Sequence, residues 1–168
     1  IGKKSRDHFK RRDYNIVYEH FGFWNELAFD HALNFCKEIT DYFISGKVDH
    51  VQVVYNQFIN VGVQEVISES LLPLQYEIEE VKLEDRIFEP SKEQIALNLI
   101  PRHLNVQMWK YLLESYASEQ AARMVAMENA TTNAQDMIKD LTLEFNKARQ
   151  TAITMEMLDI VGGAEALN

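Results

Sequence analysis

Glycine is sparse in this chain, with six residues at 2, 22, 46, 62, 162 and 163. Neither a GxGxxG turn nor a P-loop can be written with them, so the usual phosphate cradle is missing. Cysteine is sparser still. Cys36 stands alone between Phe35 and Lys37, which excludes a disulfide framework and a thiolate metal cluster and fits a reducing compartment. It reads as a small core residue rather than a thiolate. No apolar run approaches the roughly 18 residues of a membrane span, and no charged n-region precedes an apolar h-region. Positive charge is in deficit: 17 Lys and Arg against 26 Asp and Glu leave a net charge of −9. Such a surface is poorly suited to phosphate backbones or anionic lipid, so nucleic acid is not an expected partner.

The same scarcity extends to chemistry. His8, His20, His31, His50 and His103 include no HxxxH pair and no cluster with acids at ligand spacing, and they read as surface or satisfied side chains. Ser5, Ser45, Ser68 and Ser70 occupy no nucleophile elbow. Glu77, Glu79, Glu80, Glu84 and Asp85 are acidic enough to attract a cation, but a solvated loop is the better reading. No catalytic, cofactor-binding or metal-binding constellation is expected.

What the chain does have is an apolar fraction of 46% over 168 residues, enough for one domain and an extension. Its opening, "IGKKSRDHF", starts without Met and reads as the end of a strand running into a helix, in a piece of a longer chain. "YNIVYE" (14–19) is β-rich and predicts a strand after the basic turn Arg11-Arg12-Asp13. In "NELAFDHALNFCKEITDYFISG" (25–46), Ala28, Ala32, Phe35, Ile39 and Phe43 recur at steps of three and four. This predicts a helix with Asn25 as N-cap and Gly46 as stop. "VDHVQVVYNQFIN" (48–60) reads as a central strand covered on both faces, and Gly62 separates it from "VQEVISESLLPL" (63–74), which can fold back as its antiparallel neighbour. Residues 1–90 thus predict an open α/β sheet. "QYEIEEVKLEDRIFE" (75–89) reads as a polar connection, with or without a short strand.

From Ser91 the pattern changes. "SKEQIALNLI" (91–100) predicts a short helix capped by Ser91, and Pro101 either interrupts it or starts the next. Between Pro101 and Gly162 there is neither Gly nor Pro, an interval of about 60 residues that spans roughly 90 Å if helical. Met127, Thr131, Ala134, Ile138, Leu141, Phe145, Ala148 and Ala152 form a stripe at alternating steps of four and three, a coiled-coil seam that needs a partner helix. A chain lacking that partner is expected to self-associate. Beyond it, Ile153, Met155, Met157, Leu158, Ile160 and Val161 point around the whole circumference, as in a buried helix. Taken alone, the pattern favours residues 152–167 folding back onto the chain's own core or fraying.

"ITMEMLDIVGGA" (153–164) resembles the C-terminal signature of the gamma subunit, the central rotor shaft, of F-type ATP synthases. That signature wants an aliphatic and Thr, an acid two after the Thr, another acid three later, then Gly-Ala. Ile153, Thr154, Glu156, Asp159, Gly163 and Ala164 supply these in register. The resemblance continues through "ASEQAARMVAMENATTNAQDMI" (117–138), "FNKARQ" (145–150), "VVYNQFIN" (53–60) and "LLPL" (71–74). It implies an incomplete Rossmann-like open sheet over 1–90, without the family's N-terminal helix, first strand and first helix, followed by a very long shaft helix over 101–168. It also implies a non-catalytic rotor that transmits torque between the membrane c ring and the hexamer of alpha and beta subunits. The epsilon subunit and the family's own N-terminal helix, which forms an antiparallel coiled coil with the C-terminal one, are the other implied partners. Arg149, Gln150 and Thr154 match the family's contacts with the catch loop of the catalytic subunits. Glu89 matches a glutamate near the c ring, although Arg86 stands where some members carry tyrosine. The lack of a second cysteine separates the chain from the plastid version, and the cytoplasmic face of a bacterial plasma membrane is the simpler location, with the matrix side of the mitochondrial inner membrane the eukaryotic equivalent. A helical scaffold or adaptor would explain the seam but not the signature. A small α/β nucleotide-binding enzyme would need the missing pocket chemistry.

Overall fold

The computed structural model describes residues 1–74 and 88–165. Helix α1 (Lys3–Lys10) is followed by a 3-10 turn (Trp24–Glu26), helix α2 (Phe29–Ile44), strands β1 (Val51–Asn60) and β2 (Val63–Leu72), and helix α3 (Lys92–Glu165). An open α/β arrangement followed by a very long helix is therefore what forms. Its sheet among the described residues is a two-stranded antiparallel hairpin. The compact unit Ile1–Ala121 takes in the start of α3.

The basic turn after α1 is a Schellman-type closure. Tyr14 N donates to Phe9 O at 3.2 Å and Asp13 N to Lys10 O at 3.5 Å, with Asp13 at φ 54. The aromatic rings of Phe9 and Tyr14 close it edge to face, 5.4 Å apart. The strand expected over 14–19 is not formed. Among the described residues no backbone hydrogen bond joins Asn15–Glu19 to another segment, although Gly2 N donates to His20 O at 2.8 Å. β-propensity at Tyr14, Ile16, Val17 and Tyr18 needs a neighbouring ladder to act on.

Nor does α2 start at Asn25. Leu27 and Ala28 are extended between the 3-10 turn and the helix, and Ala28 supplies no side-chain cap. Contacts outside the segment outweigh the capping signal: Trp24 stacks on Tyr116 at 6.3 Å, and Phe23 meets Phe35 at 5.2 Å. The far end follows the sequence, with Gly46 at φ 70 and its N–H donating to Phe43 O at 3.0 Å.

β1 and β2 pair with Tyr55 opposite Ile67 and Val53 opposite Glu69. Asn60 Oδ1 accepts from Gly62 N at 2.9 Å and shapes the turn. Covering of both faces is not observed. Val51, Val53 and Tyr55 turn toward the helices, whereas Val54 is 67% exposed. A lone antiparallel hairpin has helices for only one of its faces. The core joins Tyr55, Leu71 and Leu72 of the hairpin to Ala32, Phe35 and Cys36 of α2 and to Leu104, Met108, Tyr111 and Leu112 of α3.

Ser91 caps α3, its Oγ accepting from Gln94 N at 3.2 Å. The break expected between a short helix over 91–100 and a long one from 101 is absent: Pro101 lies inside α3. The ring removes the N–H that would bond the Leu97 carbonyl, and Leu97 sits in an exposed turn where water can serve that oxygen.

Two polar contacts fix the hairpin on α3. Glu69 accepts from Tyr55 Oη at 2.7 Å through one oxygen and from Tyr111 Oη at 3.0 Å through the other. One turn further on, Ser118 Oγ donates to Asn56 O at 3.1 Å, and Ser115 Oγ accepts from Asn56 N at 3.4 Å. These serines occupy the outward backbone groups of β1 at Asn56, as a covered sheet edge requires. The phenol of Tyr55 holds Glu69 below the usual carboxylate range. Burial, with Glu69 alongside, pushes Tyr111 up to about 12 and Tyr55 higher still.

Both phenols ionise less readily folded than unfolded, so their contribution to stability is complete below pH 10 and is lost as pH rises through about 12. Glu69 has the opposite sign: its contribution is present above the ordinary glutamate value and is lost as pH falls through its depressed one. In urea melts, Glu69→Ala is expected to cost about 2 kcal/mol at pH 7, and Tyr111→Phe about 1 kcal/mol. Glu69→Ala should also flatten the alkaline decline. An unchanged melt for Glu69→Ala would show that the clamp contributes nothing.

Candidate functional site

The second compact unit, Ala122–Asn168, is described through Glu165 and is helical throughout that range. At 1.5 Å per residue, residues 122–165 run for about 66 Å. Seven alanines (122, 126, 130, 134, 148, 152 and 164) and the long unbranched side chains among them favour the helix. The weak run "NATTN" (129–133) does not break it. All five threonines of this stretch turn their hydroxyls back onto the helix: Thr131 to Met127 O, Thr132 to Glu128 O, Thr142 to Ile138 O, Thr151 to Lys147 O and Thr154 to Gln150 O, at 2.7–3.1 Å.

The expected seam is on the surface. At 100° per residue, Met127, Thr131, Ala134, Ile138, Leu141, Phe145, Ala148 and Ala152 fall within a stripe about 100° wide. Ile138 is 63%, Leu141 58% and Phe145 66% exposed. A side chain of this size is worth roughly 1.5–3 kcal/mol on full burial, and along this stripe that apolar area is exposed. Residues 152–165 are helical and exposed, so the expected burial of this segment is not seen. Among them Ile153, Met155, Met157, Leu158, Ile160 and Val161 encircle the axis.

Every signature position, Ile153, Thr154, Glu156, Asp159, Gly163 and Ala164, lies on this helix and is exposed. Gln150 and Thr154 share a face one turn apart, and Arg149 lies about 100° round from Gln150. The Thr154 hydroxyl proton is committed to Gln150 O, so toward a partner that oxygen acts as an acceptor. Glu89 is exposed. Arg86 and the acids Glu77, Glu79, Glu80, Glu84 and Asp85 lie outside the described residues.

The remaining candidates occupy structural places. Cys36 is buried with Sγ 3.9 Å from Thr40 Oγ1, and burial pushes its thiol up. His20 Nε2 pairs with Glu38 Oε2 at 2.6 Å across 18 residues of sequence, a contact that local spacing does not reveal. His31 Nε2 lies 3.3 Å from Glu26 O. Among the described residues no group of three or more His, Cys, Asp or Glu is placed to hold a metal, and no helix is long and apolar enough to cross a membrane.

A hairpin-and-helix unit extended by a long helix with an uncovered seam is a fold seen before. A family model described as ATP synthase matches residues 1–167, and the chain belongs to that family. Within it, the chain is similar to gamma chains. The ATP synthase gamma chain of Cytophaga hutchinsonii is 47% identical over 173 residues, and that of Chloroherpeton thalassium 43% over 178 residues. The matches take in 100% and 99% of this chain and 59% of each relative, so the chain spans about three fifths of the length of the curated relatives it matches. Among solved structures, the Euglena gracilis mitochondrial ATP synthase (OSCP/F1/c-ring, rotational state 3) contains a chain that aligns with TM-score 0.61 and 21% identity. The alignment covers 99% of this chain and 60% of that one. The central stalk and c-ring structure of the Tetrahymena thermophila mitochondrial ATP synthase gives 0.58 and 23%, covering 76% and 57%. At these identities the structures establish the fold.

The uncovered seam has a measurable consequence. In sedimentation velocity the chain is expected to self-associate with rising concentration, and Leu141→Glu to weaken the association constant at least tenfold, about 1.4 kcal/mol. A monomer at every concentration, in both proteins, would show that the stripe does not drive association.

Proposed function

We propose that this chain is part of the rotor shaft of an F-type ATP synthase, a subunit without catalytic activity of its own that carries torque between an ion-driven c ring and the hexamer of alpha and beta subunits. The observation that carries this reading is the uninterrupted helix with a heptad stripe and an apolar end, in a chain whose relatives are gamma chains. A single helix bends under load, and pairing along its stripe stiffens it into a shaft. The α/β part, residues 1–90, forms the foot; Glu89 faces the c ring, and the epsilon subunit binds the same end. The assembly is a peripheral part of a membrane-bound ATP synthase, on the cytoplasmic face of a bacterial plasma membrane.

Two kinds of contact divide the work at the far end. Non-directional apolar burial around Ile153–Val161 centres the helix and resists rotation little, because it has no angular preference. Grip at particular angles needs directional, charge-assisted hydrogen bonds, and Arg149, Gln150 and Thr154 supply the groups that meet a catch loop.

The discriminating experiment uses a full-length subunit assembled into the complex and measures ATP synthesis in reconstituted vesicles, with assembly checked on native gels. Arg149→Ala with Gln150→Ala is expected to lower coupled turnover at least tenfold more than Ile160→Ala with Val161→Ala. Each lost charge-assisted bond is worth about 1.5–3 kcal/mol. A more damaging apolar pair in intact complexes would transfer the grip to steric packing of the helix end. A full-length subunit that never enters the complex would overturn the rotor reading.

A further inference from the structure

The net charge of −9 averages over a sharp division. Six of the 17 Lys and Arg fall among the first 12 residues, at Lys3, Lys4, Arg6, Lys10, Arg11 and Arg12, where Asp7 is the single acid. α1 is thus a basic element on an acidic protein. Two of its charges are already committed. Arg6 donates to Asp7 Oδ1 from Nε at 3.0 Å and from Nη2 at 2.8 Å and lies 4.7 Å over the ring of Phe21, while Lys10 Nζ is 3.7 Å from Glu19 Oε1. The Arg6 bond holds Asp7 below the usual carboxylate range, with Lys3 and Arg11 adding to it. Among the described residues no salt bridge holds Lys3, Lys4, Arg11 or Arg12, and all four are exposed.

Helical geometry gathers these cations. Arg11 is an αR C-cap, so Lys4 and Arg11, seven residues apart, share one face with His8 between them, and Lys3 and Arg12 extend it at either end. At the end that carries Arg11 and Arg12, the rings of Phe9 and Tyr14 meet edge to face, 45% and 60% exposed. The left-handed Asp13 and the bond from Tyr14 N to Phe9 O hold cations and rings in that one turn.

None of the four cations lines the crevice between α1 and residues 14–20. They stand on an open helical surface, where an acidic peptide finds no groove to fix its carboxylates against the guanidinium forks. An anionic lipid surface needs none, because its phosphates are many and mobile, and amphipathic rings settle at headgroup depth. The acidic remainder of the chain is repelled by the same surface, which turns α1 toward it, and beyond a screening length of about 8 Å in physiological salt that repulsion fades.

We infer that α1 and its closing turn, through Lys3, Lys4, Arg11 and Arg12 with Phe9 and Tyr14, form a docking surface for the phosphate headgroups of an anionic lipid bilayer. The contact is peripheral and reversible. It requires no other subunit and so stands independently of the rotor reading.

The test is flotation of the whole 168-residue chain with vesicles of phosphatidylglycerol and phosphatidylcholine in about equal parts, beside vesicles of phosphatidylcholine alone. At low salt the chain is expected to bind the anionic vesicles roughly tenfold or more tightly than the neutral ones, and to be released as salt rises. K4Q with R11Q and R12Q, its fold checked by circular dichroism, is expected to lose that preference, whereas K4R with R11K and R12K keeps it. Equal binding to both vesicles, or a preference that survives K4Q with R11Q and R12Q, would overturn the docking surface and assign adsorption to the exposed apolar end of α3. Failure to bind anionic vesicles would overturn it too, and binding of soluble polyglutamate in that case would assign α1 to an acidic protein partner.

Discussion

Glu69 is the point on which the folded part of the chain turns. A carboxylate that takes one phenol on each oxygen ties β1 and β2 to α3 with two directional bonds, and the 4.6 Å contact between the rings of Tyr55 and Tyr111 seals it. Apolar packing alone would let the hairpin rotate or slide on the helix. The clamp selects which face of α3 is spent on the core, namely the one carrying Leu104, Met108, Tyr111 and Leu112. Asn56, with Ser115 and Ser118, then fixes position along the axis. Where these contacts end, burial ends: Ala121 is the last buried residue of α3.

Local signals in the sequence translated faithfully wherever the physics is local. Gly46 ends α2 because a left-handed residue closes a helix there, Gly62 marks the hairpin turn, and Ser91 caps α3 through its own hydroxyl. The signals that misled were those whose meaning depends on distant groups. Residues 14–19 have strand composition but no ladder among the described residues. Asn25 is a sound cap in isolation, outweighed by the stacking of Trp24 on Tyr116. Val54 reads as core but lies on a hairpin face that no helix among the described residues covers. Pro101 breaks helices in general, yet here the carbonyl it orphans belongs to an exposed turn.

The exposed helix was more legible than the folded unit. Its stripe follows from spacing alone, and the structure leaves Ile138, Leu141 and Phe145 exposed. The pairs that needed coordinates were those between distant positions: His20 with Glu38, and Glu69 with Tyr111. Nothing in their immediate neighbours marks them.

The five threonines of the exposed helix look from outside like something other than threonine. Each commits its proton to a carbonyl one turn back, so its methyl group is left as the group a neighbour can lean on. Such a side chain has the outline of valine, and its oxygen can receive a hydrogen bond without offering one. A surface of this kind has few angular minima of its own. A neighbour packed along these positions therefore meets methyl groups and acceptor oxygens but no free hydroxyl donors.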